Sequence, residues 1–439
     1  MDALALSVGI LTLGCKVNQY ESEAIAEALE ANGFRVCPTT ELCDVYVVNT
    51  CTVTAESDRK CRQAIRRLIH RNPQAFVLVT GCLGQTAPAQ IAKIEGVDYV
   101  CGNADKLSVV RKAIALCQKG RKNTEAEISA SPPDAYGFER MRITRFDRTR
   151  AYVKIEDGCE SKCTYCIIPS ARGRIRSKHP DDVMDEVRTL TQNGCREVVL
   201  TGIETASYGK DLDGCDLGDL LCRVNRIAGI GRVRLGSLDP SLMKQDFVDR
   251  IASLSSLTPH FHISMQSGSD TVLARMKRKY NSRMALEGME RLRAAIPGVQ
   301  FTTDIIVGFP QESDEEFEQT LNFIRQARFL MIHAFPYSKR VGTPAAQMAG
   351  QIPEQVKHER LQRLLRLQAD IQKGILESYI GKTEEVLFET YENGMAHGHT
   401  PSFLEVFCPS PVELHARALP VRITAIRDGA CMGGILQTP

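Results

Sequence analysis

The sequence predicts an α/β fold in three parts: an amino-terminal parallel α/β domain, a central partial (β/α)6 barrel of the TIM type, and a small carboxyl-terminal β-barrel. Three observations predict it. Short apolar, β-branched runs alternate with amphipathic helical stretches through the first quarter of the chain. After a polar stretch the same alternation repeats six times, and after a long helical pattern it gives way to short strands.

The amino-terminal domain is predicted to span residues 1–118. Its strand candidates are LSVGILTL, DVYVVNT and AFVLVTG, and the helix candidates ESEAIAEALEANG and SDRKCRQAIRRLIH lie between them. This alternation favours a parallel sheet, because each helix returns the chain to the start of the next strand. Residues 119–148 are polar, contain Ser-Pro-Pro and show little periodicity, so we expect a linker there.

The central barrel is predicted to span residues 149–350. Its six strand candidates are AYVKIE, REVVLTG, RVRLGSL, HFHISMQ, FTTDIIVG and MIHAFPYS. Six βα units favour an open barrel, although a doubly wound sheet has the same periodicity. Residues 351–380 have the pattern of a connecting helix, and residues 381–439 that of a small β domain.

Composition narrows the class of protein. No apolar run approaches the roughly 20 residues of a transmembrane helix, and the first residues lack the features of a signal peptide. We therefore predict a cytoplasmic protein with no membrane partner. Sixteen cysteines in a reducing compartment indicate metal or redox chemistry rather than disulfides. Because the net charge is only +2, any contact with nucleic acid must depend on local basic groups.

Three cysteines follow the first strand candidate of the predicted barrel. Cys159, Cys163 and Cys166 form a C-x3-C-x2-C pattern in DGCESKCTYCIIPSARG. Barrel enzymes keep their chemistry in the loops at the carboxyl ends of the strands. Three thiolates can hold three irons of a 4Fe-4S cluster and leave the fourth iron free for a ligand. A structural zinc site would need a fourth ligand nearby, and His179 lies beyond a run of basic residues.

A second set of three cysteines is spread over the amino-terminal domain. Cys15, Cys51 and Cys82 each directly follow a strand candidate, in LTLGC, VVNTC and LVTGC. Since the carboxyl ends of parallel strands meet at one edge of a sheet, we expect the three thiols to converge. Two alternatives stay open: cysteine can act as a small buried hydrophobe in a strand, and Cys101 in DYVCGN also ends a strand candidate.

The cysteine loop, with Tyr165 before its last cysteine, resembles the signature of the radical SAM superfamily. Together with TLGCKVNQYES, NTCTVT and TGC, it is similar to the methylthiotransferase family over essentially the whole chain. The resemblance implies a 4Fe-4S cluster on Cys159, Cys163 and Cys166 that binds S-adenosylmethionine. It also implies a second iron-sulfur cluster, expected to be 4Fe-4S, which is held by Cys15, Cys51 and Cys82. The implied activity is radical cleavage of S-adenosylmethionine and insertion of a methylthio group at an unactivated carbon.

Other polar and small residues at the strand ends suit a cofactor pocket. For S-adenosylmethionine we predict contacts from Tyr165, Gly202, Ser237 and Gly308, the glycines because a missing Cβ lets the backbone approach a ligand. Each of them could equally be a cap or turn residue. Radical chemistry needs no acid–base set, so the four histidines of the barrel region are predicted to be structural; they are His179, His260, His262 and His333.

The expected substrate follows from the first motif. TLGCKVNQYES resembles the branch of the family that modifies N(6)-threonylcarbamoyladenosine beside the anticodon of tRNA, which makes tRNA the expected partner. Alternatives are the branch acting on isopentenyladenosine, which tends towards GCQMN, and the one acting on a ribosomal protein aspartate, which tends towards GCPKN. A non-enzymatic iron-sulfur or zinc protein is a third alternative. An electron donor such as flavodoxin or ferredoxin is a further expected partner.

Three local basic groups are predicted to contact RNA phosphates. They are Arg59, Lys60, Arg62, Arg66, Arg67 and Arg71 on one helix candidate; Arg172, Arg174, Arg176 and Lys178 after the cysteine loop; and Arg275, Lys277, Arg278 and Lys279. The carboxyl-terminal segment resembles the RNA-associated TRAM barrel through GKTEEVLFE and VRITAIRDGACMGGIL. Its first half is rich in glutamate, so we expect it to dock against the central barrel rather than to hold phosphates.

Overall fold

The amino-terminal domain contains one sheet of six parallel strands in the order β2-β1-β3-β4-β5-β6. A computed structural model describes residues 6–122 and 124–436 of the chain. Every residue of β3 is buried, as its continuous apolar run predicts. The strands are β1 (Ser7–Thr12), β2 (Arg35–Cys37), β3 (Val45–Thr50), β4 (Phe76–Gly81), β5 (Tyr99–Cys101) and β6 (Glu127–Ser129).

Five helices cover the two faces of this sheet. The first and fifth pack on one face and the second to fourth on the other, each through an apolar stripe. They are α1 (Lys16–Ala31), α2 (Ala55–Arg71), α3 (Cys82–Thr86), α4 (Pro88–Ala92) and α5 (Ser108–Lys119). The last strand, β6, lies within the stretch that we predicted as a linker, and it pairs with β5 at the sheet edge. The predicted domain boundaries stay predictions.

All six strand candidates of the central domain form parallel strands in chain order. The third candidate divides at Gly236 into two short strands, so the barrel wall consists of two adjoining sheets, β11-β10-β7 and β12-β13-β14-β15. A short antiparallel pair, β8 with β9, flanks the cysteine loop. The strands are β7 (Arg150–Lys154), β8 (Glu156–Asp157), β9 (Arg176–Ser177), β10 (Glu197–Thr201), β11 (Arg232–Leu235), β12 (Ser237–Leu238), β13 (His260–Gln266), β14 (Gln300–Val307) and β15 (Met331–Pro336).

Helices alternate with these strands, and a long helix leads out of the barrel. A capping box at Ser313 starts one of them, with its side chain accepting from the backbone of Glu316. Within the described residues, no helix is both long and apolar enough to cross a membrane. The helices are α6 (Ile168–Arg172), α7 (Pro180–Gln192), α8 (Leu217–Val224), α9 (Gln245–Ile251), α10 (Asp270–Arg275), α11 (Ser282–Ala295), α12 (Asp314–Ala327) and α13 (Glu354–Glu377).

The carboxyl-terminal segment is a closed five-stranded barrel in the order β16-β17-β18-β20-β19. It has its own apolar core, which also packs against the end of α13. The fold class predicted from the sequence, an α/β chain ending in a small β-barrel, is confirmed. The strands are β16 (Thr383–Glu392), β17 (Met395–His399), β18 (Glu405–Pro409), β19 (Ala418–Arg427) and β20 (Ala430–Ile435).

The acidic half of this small barrel docks against the central barrel, as we expected. Arg150 at the start of β7 donates to Glu389 over 2.7 Å, and Arg232 at the start of β11 donates to Glu385 over 2.7 Å. Between them Phe403 stacks on the His260 ring with a centroid separation of 4.6 Å. The small barrel therefore closes the end of the central barrel at which the strands begin.

Candidate active site

The dispersed cysteines meet at the carboxyl edge of the amino-terminal sheet. Cys15 caps the start of α1 beyond β1, Cys51 directly follows β3, and Cys82 is the first residue of α3 after β4. Cys51 and Cys82 are buried, whereas Cys15 is exposed. Strands β1, β3 and β4 are direct neighbours in the sheet, so the chain brings the three thiols together by pairing these strands.

Two glycines let these strand ends approach each other. Gly14 has a φ of 120°, and a Cβ there would lie 2.9 Å from the Cβ of Cys51. Gly81 has a φ of 96°, and a Cβ there would lie 2.4 Å from the carbonyl oxygen of Thr50. Any other residue would be strained in this backbone conformation and would also push the strand ends apart. Gly14 and Gly81, which precede Cys15 and Cys82, are therefore needed for the cysteines to come together.

The three thiols interact electrostatically. Although Cys15 is exposed at the edge of the sheet, desolvation by the protein around it raises its pKa, as do the Cys82 thiolate and Glu21, while the Arg172 guanidinium and a backbone hydrogen bond oppose this. Burial also raises the pKa of Cys51, and the neighbouring thiolates of Cys82 and Cys15 add to it. Three thiolates this close repel one another without a cation between them. Such a donor set fits a bound metal cluster, whose positive charge removes the repulsion.

The second cysteine set lies in the loop between β8 and α6. Arg278 donates to Sγ of Cys163 over 3.0 Å, and the backbone amide of Ile168 donates to Sγ of Cys166 over 3.4 Å. Cys159 Sγ receives the amide of Ser161 over 3.4 Å. Each sulfur thus has one N–H donor of the kind that stabilises thiolate charge. Three soft donors on one loop, each with such a partner, fit an iron-sulfur cluster.

The loop depends on one glycine. Gly158 has a φ of 87°, and a Cβ at this position would lie 1.8 Å from the carbonyl oxygen of Arg174. The amide of Cys159 donates to the carbonyl of Gly173 over 3.0 Å, which ties the start of the loop to its end. Without a Cβ at Gly158 the two ends can touch. The thiols are held in a closed loop rather than in a flexible one.

Neither cysteine set has the spacing of a single metal ion. Among the described residues, the His/Cys/Asp/Glu group whose ligand atoms all lie within 4.8 Å of one another is His262, Asp304 and His333. Sulfurs around one tetrahedral zinc at about 2.3 Å would lie about 3.8 Å apart. Neither set of three sulfurs is therefore drawn together as tightly as around one zinc ion in the described structure.

The two sets face each other across the domain junction. Helix α3, which begins at Cys82, packs against α6, which follows Cys166. The Cys82 thiolate is close enough to raise the pKa of Cys166, which burial brings to about 11. Asn103, in the loop after β5, donates to the carbonyl of Ala171 in α6 over 2.7 Å and fastens this loop to α6.

A buried ionic network joins the same two regions. Arg172 is fully buried and donates to Glu21 and to Asp157, each over 2.9 Å. It also donates to Asn18 over 2.7 Å, and Asn18 in turn donates to the carbonyls of Leu13 and Thr50 beside the dispersed cysteines. Burial alone would raise the pKa of Glu21, but Arg172, Lys106 and Lys154 hold it well below its usual value.

This network overturns most of one predicted RNA surface. Arg172, Arg176 and Lys178 are buried, and only Arg174 of that group is exposed. Arg176 donates to the carbonyl of Pro133 over 2.6 Å, and Lys178 pairs with Glu186. The prediction of phosphate contacts for these three residues is wrong, because internal carboxylates and carbonyls occupy their donors.

The other two predicted basic groups, at residues 275–279 and on α2, differ in whether their arginines have partners within the protein. Arg275 pairs with Glu316 over 2.5 Å, and Arg278 pairs with Asp239 over 2.9 Å, so both are committed within the barrel. On α2, however, the exposed Arg66 and Arg67 make no hydrogen bond or ion pair with any described residue. The outer face of α2, which begins four residues after Cys51, is therefore the basic surface that keeps free cations.

The residues predicted for the S-adenosylmethionine pocket lie beside the cysteine loop. Tyr165 packs in a small apolar cluster, and the carbonyl of Ser237 accepts from Thr205. The two glycines already have packing reasons within the chain. A Cβ on Gly202 would lie 2.6 Å from Oε2 of Glu156, and one on Gly308, with a φ of 70°, would lie 2.4 Å from Cγ of Lys357. Contact of these four residues with a cofactor stays a prediction.

Two further cysteines lie near the dispersed set. Sγ of Cys61 lies 3.4 Å from both the amide and the carbonyl of Cys51, fully buried beneath it. Cys101 is fully buried in the core, and burial raises its pKa to about 11. Both act as small buried residues, and none of the charges that shift the pKa of Cys101 comes from the dispersed set.

The interior of the central barrel is polar and open. His262, Asp304 and His333 line it, with Nε2 of His262 3.3 Å from Oδ2 of Asp304 and Nδ1 3.0 Å from the Thr302 hydroxyl. Their partial exposure shows that the barrel is not filled by its own side chains. We predicted structural roles for these histidines, and nothing in the local sequence shows that three separate strands bring them to one cavity.

Lys16 faces the same cavity from the amino-terminal domain. Its side chain is exposed, yet desolvation by the protein around it lowers its pKa, as do the charges of Arg234 and Arg150, whereas Glu197 and Asp304 raise it. These partners belong to strands of the central barrel, so the side chain extends from the start of α1 into the barrel interior. In the sequence, only the adjacency of Lys16 to Cys15 points to this position.

Comparison with known proteins defines the class. The model of the radical SAM superfamily matches residues 153–324, and that of the uncharacterized protein family UPF0004 matches residues 7–102. The radical SAM methyltransferase TsrM from Kitasatospora setae has a similar fold, with a TM-score of 0.57 at 18% identity, over 78% of this chain and 77% of TsrM. The protein is thus a radical SAM enzyme, which confirms S-adenosylmethionine and iron-sulfur clusters as its cofactors.

More similar relatives define the family. The threonylcarbamoyladenosine tRNA methylthiotransferase MtaB of Bacillus subtilis is 40% identical over 95% of this chain and 93% of its own length. The MtaB of Thermotoga maritima is 40% identical over 88% of this chain and 87% of its own length. A tRNA-2-methylthio-N(6)-dimethylallyladenosine synthase of Carboxydothermus hydrogenoformans is 36% identical over 87% of each chain. The chain belongs to the radical SAM tRNA methylthiotransferase family, as the sequence motifs predicted.

Proposed function

We propose that this enzyme adds a methylthio group to carbon 2 of N(6)-threonylcarbamoyladenosine in tRNA. The observation that carries the proposal is the meeting of two cysteine sets across one junction, where α3, which begins at Cys82, packs against α6, which follows Cys166. One set suits radical generation and the other suits a sulfur-bearing cluster. The choice of nucleoside is supported by the relatives that are 40% identical, both of which bear the threonylcarbamoyladenosine name.

The six cysteines are proposed as the cluster ligands. Cys159, Cys163 and Cys166 would hold the 4Fe-4S cluster that binds S-adenosylmethionine, and Cys15, Cys51 and Cys82 the auxiliary cluster. When bound, these groups supply the electron, the radical and the sulfur atom.

Neighbouring residues of the chain stabilise the three cysteines of the loop as thiolates. Arg278 stabilises negative charge on Cys163, and the amides of Ser161 and Ile168 do so on the other two sulfurs. Sγ of Cys159 donates to Glu204 over 3.2 Å, a contact that requires the thiol proton. Because a metal ligand must be the thiolate, cluster binding removes this proton and releases Glu204. Tyr165, Gly202, Ser237 and Gly308 are proposed to line the S-adenosylmethionine pocket.

The partners follow from the surface and the chemistry. Arg66 and Arg67 of α2 are proposed to contact tRNA phosphates, since they are exposed and make no hydrogen bond or ion pair with any described residue. A small redox protein such as flavodoxin or ferredoxin is the proposed electron donor. A cytoplasmic location agrees with a tRNA substrate.

The test is nucleoside mass spectrometry of tRNA from cells that lack the gene and from cells that regain it. We expect 2-methylthio-N(6)-threonylcarbamoyladenosine to disappear, its unmethylthiolated precursor to accumulate, and the modification to return with the wild-type gene. If the methylthio derivative of isopentenyladenosine responds instead, the enzyme belongs to the other tRNA branch. If neither nucleoside changes, the proposed substrate is wrong.

A further inference from the structure

Lys16 is an unpaired cation in a cavity whose other charges are paired. It is exposed to the space inside the barrel, and it makes no hydrogen bond or ion pair with any described residue. It is also the residue directly after Cys15, at the start of α1. An ammonium group in this position lies between the auxiliary cysteines and the barrel interior.

The arginines around it already have carboxylates. Arg150 donates to Glu389 over 2.7 Å and Arg234 donates to Glu197 over 2.7 Å. Arg232 donates to Glu385 over 2.7 Å, so the three arginines have three bonded acids. Two acids raise the pKa of Lys16, and both have other partners. Glu197 is bonded to Arg234, and Asp304 lies against His262. No acid is left that bonds to Lys16.

Lys16 is also accessible to a ligand, because its side chain is exposed. No described carboxylate bonds to its ammonium group. A cation placed in this way inside a barrel indicates that the cavity receives a ligand with an anionic or acceptor-rich group.

The two candidate nucleosides differ in the charge and the acceptor oxygens of their N(6) substituents. The threonylcarbamoyl group ends in a free carboxylate and carries a hydroxyl and carbonyl oxygens, whereas an isopentenyl group is a hydrocarbon. Placing a hydrocarbon here would remove water from Lys16 without giving it a partner. Sites built for polar contacts reject such analogues strongly for this reason.

We propose that Lys16 is the residue that selects the substrate, by pairing with the threonyl carboxylate of the nucleoside. The proposal rests on the function proposed above. Carbon 2 must reach the auxiliary cysteines, and Lys16 is adjacent to one of them on a long side chain that extends into the barrel. The adenine can therefore present carbon 2 to the auxiliary cysteines while its N(6) substituent extends towards the ammonium group of Lys16.

The test compares two anticodon stem-loop RNAs on the reconstituted enzyme. One carries N(6)-threonylcarbamoyladenosine, and the other carries the same nucleoside with the carboxylate replaced by a primary amide. We expect the wild-type enzyme to prefer the carboxylate by about 10- to 100-fold in kcat/KM, the range for a hydrogen bond to a charged group. In Lys16→Gln this ratio should fall to near one, through loss of activity on the carboxylate RNA alone.

Control variants separate charge from structure. Lys16→Arg keeps the cation and should keep the preference, and Lys373→Gln on the exposed face of α13 should match the wild type. The ratio of the two rates is measured on one preparation, so a variant that holds less iron still gives a valid value. The binding constants of the two RNAs should show the same loss of discrimination as the rates.

Each outcome decides one question. Equal rates on the two RNAs with the wild-type enzyme, or an unchanged preference in Lys16→Gln, would overturn the role of Lys16 and leave the proposed function intact. A wild-type enzyme that leaves threonylcarbamoyladenosine RNA unmodified and instead modifies isopentenyladenosine RNA would overturn the proposed function itself.

Discussion

The two cysteine sets of this protein are built in opposite ways. Cys159, Cys163 and Cys166 lie within one loop, whose two ends meet at Gly158. Cys15, Cys51 and Cys82 come from three strands, and only the pairing of those strands brings them together. A contiguous site is thus specified by a motif, whereas a dispersed site is specified by the fold. The dispersed set should therefore respond more to changes far from it.

The largest effect is expected from removing one ligand of each set. We expect Cys163→Ala to abolish formation of 5′-deoxyadenosine and methylthiolation together. Cys82→Ala should keep S-adenosylmethionine cleavage and lose sulfur insertion, because it affects the other cluster. Each variant should retain about four of the roughly eight irons of two 4Fe-4S clusters.

Iron analysis and product quantification check both variants. Cys222→Ala, at a half-buried cysteine of α8, is the matched control and should retain all the iron and both activities. Normal sulfur insertion by Cys82→Ala would show that the dispersed thiols are not ligands, and the contrast between the two sets would disappear.

A smaller effect is expected at the network that joins the two sets. Arg172→Ala leaves Glu21 and Asp157 buried with one cation fewer, a change that costs about 3–5 kcal/mol. Urea unfolding measures this loss. Because Asn18 ties Arg172 to the ends of β1 and β3, we also expect iron to leave the dispersed set first.

The control for this variant lies two residues away. Arg174 is exposed, so Arg174→Ala should change the free energy of unfolding by less than about 0.5 kcal/mol. Equal effects of the two substitutions would mean that Arg172 is not an essential part of the junction.

The smallest effect is expected on RNA binding, and it concerns α2 of the amino-terminal domain, which also holds the dispersed cysteines. Replacing Arg66 and Arg67 by Glu should weaken tRNA binding by about tenfold at low salt and reduce the salt dependence by about one to two released ions. Fluorescence anisotropy over a salt series measures both quantities. A matched pair on the outer barrel helices, Arg188→Glu with Arg283→Glu, should leave binding unchanged. If the control pair weakens binding equally, the RNA surface is not on α2.

The sequence predicted the elements and the cysteines, because both depend on local patterns. Apolar runs mark the strands, and the position just after each run marks Cys15, Cys51 and Cys82 as neighbours at one sheet edge. The three-residue strand β6 was missed because its residues are exposed and carry no apolar period.

The burial of Arg172 could not be predicted in the same way. A charged residue in a polar loop is ordinarily exposed, and its partner Glu21 lies on a helix of another domain. The same holds for Lys16 and the histidines of the barrel interior, which are neighbours only after the barrel has formed and the amino-terminal domain has docked. Ionic and polar contacts between distant segments leave no periodic trace in the chain.

Phe403 ties the small barrel to the end of the central barrel at which the strands begin. Its backbone φ of 70° is costly for an aromatic residue, and its ring lies between His260 and His399 with Arg234 above it. His260 and Arg234 belong to strands of the central barrel, whereas His399 belongs to the small barrel. The floor of the catalytic domain is thus completed by a separate domain, so a substitution at Phe403 should disturb the barrel interior although it lies outside the barrel's own sequence.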